Sequence, residues 1–245
     1  MKRIIICLLS LVFLFNMNAS SQGVFAELQA GTGTYSMRDL KDFNSYVKNS
    51  IPFDTKIVAD FPPYMNFSTI LKFRITNGYV GIIQSFQTTG SRISGRDYSG
   101  EYVFDMTVNG YSPGIYSEFR INTVKKADFS FYSSLGAIFT GLKMHEHFVV
   151  LEEEINDDKF SFRARSLFLE PGLRVMYPAG RLNFAFNAGY LIQFGSGAFG
   201  SSENKLNKLG NPVTGDLVRP GWNGFRAGIS VFLKLRSGNN NQQSS

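Results

Sequence analysis

The sequence predicts an all-β fold: a closed antiparallel eight-stranded transmembrane β-barrel with long extracellular loops and a short helix in the first loop. Three observations predict it. Stretches of period-two alternation recur along the chain, each putting unlike residues on the two faces of a strand. The closing stretch, Trp222 to Arg236, sets Phe225, Ala227, Ile229, Val231, Leu233 and Leu235 against Arg226, Gly228, Ser230, Phe232, Lys234 and Arg236. Its apolar face matches the roughly 9–11 residues that a tilted strand needs to cross a hydrocarbon layer. Finally, the connections alternate between long and short, as in barrels with loops on one membrane side and turns on the other.

The N-terminus reads as an export signal. Lys2 and Arg3 precede an apolar run, Ile4 to Phe15, and small and polar residues follow, with cleavage expected near Ser21 or Gln22. The domain plan is therefore 1–22 signal peptide, 23–236 barrel and 237–245 polar periplasmic tail. The run is too short to span as a helix, and no later segment offers about 18 consecutive apolar residues. The single cysteine, Cys7, lies in the leader, so the mature barrel is expected to fold without disulfides. Losing Lys2 and Arg3 takes the formal charge from +6 to +4. With its basic residues scattered, such a chain suits an anionic membrane surface and gives no ground for nucleic acid as a partner. The 24 Phe, 11 Tyr and 24 Gly fit aromatic girdles with glycine in and between strands.

The first strand runs from Val24 to Tyr35. Ser36 as N-cap with Asp39 three residues on, then Met37, Leu40, Phe43 and Val47 at helical spacing, predict a helix over Met37 to Lys48 that Pro52 ends. The second strand is Tyr64 to Ile75, and Thr76-Asn77-Gly78 predicts a type I′ hairpin into the third, Tyr79 to Thr89. A loop spans Gly90 to Gly100. The fourth strand, Glu101 to Ile121, breaks at Pro113-Gly114 and turns through Asn122 to Lys126 into the fifth, Asp128 to Leu142. An acidic loop, Lys143 to Lys159, leads to the sixth, Phe160 to Tyr177, which breaks at Pro171-Gly172. Each Pro-Gly is read as a bulge, with a turn and ten shorter strands as the alternative. Pro178 to Arg181 turns into the seventh strand, Leu182 to Phe194, and a long loop, Gly195 to Gly221, precedes the last. A soluble lipocalin-like barrel is the other architecture in play, with its apolar face turned inward.

The chain resembles the small eight-stranded outer-membrane barrels of the OmpA/OmpX type, and among them the single-domain outer-membrane β-barrel proteins of Bacteroidetes-like bacteria. The resemblance rests on the leader, the strand and loop pattern, the stretch Thr88-Thr89-Gly90-Ser91-Arg92 and the closing strand. In that strand Arg226, Gly228, Val231 and Leu233 look like an outer-membrane assembly signal, although a polar tail follows where many relatives end on an aromatic. The resemblance implies a Gram-negative outer membrane, its lipid and lipopolysaccharide and the assembly machinery as partners, and a monomer.

An eight-stranded barrel is just wide enough to be filled by side chains. The lumen ion-pair candidates are Lys72, Arg74, Glu118, Arg120, Arg163, Arg165 and Arg174, with Tyr116, Glu27, Asp105 and Glu170 as further inward residues. Such a lumen reads as a packed network, with a narrow pore as the alternative. His145 and His147 flank Glu146, near Glu152, Glu153, Glu154, Asp157 and Asp158, and are the candidates for a metal or for a lipid-modifying hydrolase or acyltransferase. No serine is placed beside them, so the loop reads as a solvated acidic one. Lys205, Lys208 and Arg219 could meet lipopolysaccharide phosphates. The expectation is a non-enzymatic barrel without cofactor, with a structural or surface-interaction role carried by its outer loops.

Overall fold

The computed structural model describes residues 23–51, 54–96, 98, 100–150, 153–179, 182–204 and 206–237, with no side-chain detail for 153–155 and 236–237. The expected leader, Cys7, Glu152, Lys205 and nearly all of the expected tail fall outside the described residues. The strands are β1 (Gly23–Gly33), β2 (Lys56–Asp60), β3 (Tyr64–Ile75), β4 (Gly78–Arg96), β5 (Gly100–Val124), β6 (Ala127–Val150), β7 (Glu153–Ala179), β8 (Leu182–Phe194), β9 (Gly200–Ser201) and β10 (Gly224–Ser237), with one helix, α1 (Arg38–Ser50). Eight strands close a ring of antiparallel pairs in the order β1, β3, β4, β5, β6, β7, β8, β10 and back to β1. The closing pair runs from Gly23↔Ser237 to Gly33↔Arg226. A closed ring leaves no unpaired edge, which is what lipid requires of strands. The two short strands lie off the ring, β2 on β4 and β9 on β7, and neither comes from a turn at a Pro-Gly, since β5 and β7 run unbroken through Pro113-Gly114 and Pro171-Gly172.

The outward face of the ring is apolar and exposed: Leu28, Phe67, Phe86, Phe119, Phe131, Leu173, Phe184, Phe186, Phe225 and Ile229 are among its large exposed side chains. A soluble barrel would bury such residues, and a belt of this size around a closed sheet is a lipid-facing surface. Among the described residues no helix is long and apolar enough to cross a membrane.

The Pro-Gly bulges are not there. β4 pairs Ile83↔Gly114 and Gln84↔Pro113 in one register, and β6 pairs Ser133↔Pro171 and Tyr132↔Gly172 in one register. Each proline lacks one N–H and gives up a bridge on one side only, to β6 at Pro113 and to β8 at Pro171. What inverts at these points is the environment. On β5, Tyr102, Phe104, Met106 and Val108 are buried inside the upper barrel, and Ser112, Tyr116 and Glu118 continue the same inner face lower down. The outer face changes from Asp105 to Tyr111, Ile115 and Phe119 as it passes from water into lipid. A bulge would have turned the side chains over; an unbroken strand crossing two solvents gives the same letters.

Two expected loops are strands. Gly90 to Gly100 largely extends β4 and β5, and the acidic Lys143 to Lys159 forms the tops of β6 and β7, paired from Lys143↔Ser161 up to Val150↔Glu153. The result is a tall wall beside shorter β1, β8 and β10. The hairpin at Thr76-Asn77 is present, but Asn77 has no positive φ, so it is not type I′. Gly78 is instead the first ladder residue, where a Cβ would sit 1.8 Å from the Glu118 carbonyl oxygen. Close approach of β5, rather than the turn, demands that glycine.

α1 forms as the spacing predicts, but Ser36 does not cap it. The N-cap is Met37, left-handed at φ 42° and without a side-chain bond. Ser36 Oγ donates to the Gly221 carbonyl, and Asp39 Oδ2 accepts from the Arg219 amide. Both residues tie the helix start to the last loop, which outcompetes local capping. Leu40 and buried Asn44 face inward, with Asn44 donating to Asp60 on β2 and accepting from Ser91 on β4.

Candidate functional site: the barrel interior and its outer mouth

The lower lumen is closed by a four-charge cluster drawn from the neighbouring strands β1 and β3 and from β5 and β7. Glu27 of β1 meets Lys72 Nζ of β3 at 2.5 Å and the Arg174 guanidinium of β7 at 2.7 and 3.0 Å, the latter a two-pronged contact. Lys72 also reaches Glu118 of β5 at 3.1 Å, and Arg174 Nε lies 3.6 Å from the other Glu118 oxygen. Tyr116 donates to Glu118 at 2.9 Å and accepts from Arg174 at 3.3 Å. All four charged side chains are at most 1% exposed. Tyr79, Tyr116 and Phe232 surround the Lys72 ammonium with ring centroids 4.9, 5.3 and 4.8 Å away. A second pair lies higher: Arg226 of β10 meets Glu170 of β7 at 2.6 Å and donates to Gln87 of β4 at 2.5 Å, while Tyr132 donates to Glu170 at 3.2 Å. Among the described residues the buried charges are three carboxylates and three cations, so the interior is neutral, as burial demands.

Of the expected lumen set, Lys72, Glu118 and Arg174 sit in this network together with Glu27, Glu170 and Tyr116. Arg74 is half-buried nearer the short turns. Arg120 is exposed at the rim, 3.6 Å from Asp128. Arg163 and Arg165 are corrections, for they point outward above the lipid belt, Arg165 with its guanidinium 5.8 Å from the Phe139 ring centre. They share the odd-numbered face of β7 with Leu167 and Leu173, and without a bulge they cannot share a face with Arg174. Asp105 likewise faces out, in a two-pronged pair with Arg92 at 2.6 and 2.7 Å.

Sequence reasoning placed Trp222 at the start of the last strand. It lies before β10, fully buried in the mouth, its Nε1 donating to Thr140 at 2.9 Å and its backbone N–H to Gln193 at 2.5 Å. Tyr35 meets it edge-on at 4.9 Å. Around it a large apolar cluster with Phe168, Phe199, Leu191 and Val218 seals the upper barrel. Among the assembly-signal candidates, Arg226 is in the lumen network, Gly228 lies opposite Gly31 of β1, and Val231 and Leu233 are on the lipid face.

His145 and His147 stand on the outer face of the tall wall, their rings 6.5 Å apart. His145 Nε2 contacts Asp157 Oδ1, and Lys159 reaches the other Asp157 oxygen at 2.9 Å. The hydrogen bond to His145, then that to Lys159, hold the Asp157 carboxyl below its ordinary range, at about 2. Among the described residues no group of three or more His, Cys, Asp or Glu could hold a metal ion.

No protein-family model matches this chain, and no curated protein matches it. Solved structures do. Ail, the attachment invasion locus protein of Yersinia pestis, solved with the heparin analogue sucrose octasulfate, is 16% identical, with 86% of this chain and 99% of that one covered and a TM-score of 0.42. Neisserial surface protein A is 11% identical over 88% and 98% of the two chains, with a TM-score of 0.33. The transport unit of the autotransporter AIDA-I from Escherichia coli is 10% identical over 92% and 94%, also at 0.33. The chain has the architecture of the small eight-stranded outer-membrane β-barrels, and that statement rests on its own closed ring and apolar belt.

Proposed function

We propose that this chain is a monomeric outer-membrane barrel, exported by its leader, that keeps its lumen shut and presents its tall wall and helix-capped mouth to the outside as an interaction surface, without catalysing a reaction. The observation that carries the reading is the closure of the interior at two levels, the charge network around Glu27 and Arg174 and the apolar cluster around Trp222. An eight-stranded ring has no section to spare for a water column once such side chains fill it. Outer lipid and lipopolysaccharide phosphates would meet Lys208 and Arg219, both exposed near the mouth. Arg226, Gly228, Val231 and Leu233 would be read by the assembly machinery before the barrel closes. Planar-bilayer recording tests the closed lumen: the purified protein should insert without stepwise conductance, and discrete open levels from the wild type would sink the reading. Replacing His145 and His147 together should leave membrane lipid composition unchanged; an altered acyl pattern would favour a lipid-modifying enzyme instead.

A further inference from the structure

Between α1 and the tall wall lies an open cavity of about 520 Å³. Phe43 and Tyr46 of α1, Tyr102 and Phe104 of β5, Phe148 of β6 and Phe162 of β7 give it an aromatic lining. Among the described residues that line it, Glu146 is the single charged one. Tyr102 donates to Glu146 Oε1 at 3.0 Å, and no cation reaches the Glu146 carboxylate among the described residues. Burial, then the neighbouring Glu146 charge, hold the Tyr102 phenol above its ordinary pKa, so it remains a donor. The register adds a second carboxylate: Glu146 of β6 lies directly opposite Asp158 of β7. Like charges facing across a ladder repel, and a cation between them removes the repulsion. The size is that of a small-molecule site. Aromatic faces carry negative charge density, and rings arranged around an acid are the chemistry that takes up an organic ammonium ion.

We infer that this cavity binds a small organic cation with an apolar body, a quaternary or protonated amine, held by Glu146 and the surrounding aromatic rings. The inference deepens the surface-interaction reading above by naming a ligand class. Its test is calorimetry on the full barrel in lipid nanodiscs, with benzyltrimethylammonium as probe and benzylsulfonate as a control of similar size and opposite charge. Benzyltrimethylammonium should bind saturably at one site per barrel, and benzylsulfonate should not. Glu146→Gln keeps the Tyr102 contact and should weaken binding at least tenfold, Asp158→Asn a few-fold, and Asp157→Asn, on the outer face, not at all. Each variant is first shown to be folded by its heat-dependent gel shift. Absence of saturable binding, equal binding of benzylsulfonate, or unchanged binding by folded Glu146→Gln would overturn the inference. Loss by Asp157→Asn equal to that by Glu146→Gln would also overturn it, by tracing attraction to the general acidity of the wall. A barrel that conducts yet binds the probe sinks the closed-lumen reading and leaves this one; a silent barrel that ignores the probe sinks this one alone.

Discussion

Glu27 is the residue on which the lower lumen turns. It accepts from Lys72 and takes both prongs of Arg174, so its removal leaves two buried cations sharing the single carboxylate of Glu118. Breaking a buried pair from one side costs roughly 3–5 kcal/mol, more than the pair itself contributes. Glu27→Ala should therefore lower the urea midpoint of the vesicle-folded protein by a loss of that size, and a change under about 1 kcal/mol would mean water already reaches the cluster. At this scale the sequence was legible where parity was unbroken. Lys72 and Glu118 alternate with Phe73 and Phe119 and so had to face away from lipid. Arg163 and Arg165 were not legible, because above the belt water lies outside the barrel and a polar residue no longer marks the inside.

The elements that reach above the membrane behave differently from those within it. α1, the last loop and the upper strands pack on one another through an apolar interior, with Trp222 at its centre. Trp222→Ala would open a cavity and leave Thr140 without its indole donor, at about 3–5 kcal/mol. Because α1 and residues 195–223 hang on this contact while the ring is held by its own ladders, the loss should be local. Limited proteolysis should cut the last loop of Trp222→Ala faster than that of the wild type while the membrane strands stay protected; equal cutting would show that the loop is held elsewhere. The helix was legible from Leu40, Phe43 and Val47. Its cap was not, since Ser36 and Asp39 are claimed by Gly221 and Arg219, far away in sequence.

For the molecule as a whole, closure is the decisive property. β1 and β10 pair along their length, with one register shift between Val24 and Phe25, so the first and last strands are held by the same kind of ladder as every other neighbour. No strand can leave such a ring without breaking two ladders at once, which makes unfolding slow in detergent. Unheated protein should migrate on a detergent gel apart from the boiled sample, and identical migration would contradict a closed barrel.

The sequence by itself determined the outward apolar belt, the pairing of Val24 onward with the closing strand and the helix in the first long connection. Each follows from period-two or helical spacing, which a chain carries locally. Only the tertiary structure decided which polar residues point inward, because that depends on whether lipid or water lies outside at a given height. Only it showed that Pro113 and Pro171 sit in unbroken strands, since a proline's missing donor matters only where a neighbour asks for it. And only it brought α1 against β5, β6 and β7 to enclose an aromatic cavity around Glu146, a juxtaposition of residues about a hundred positions apart that no local pattern records.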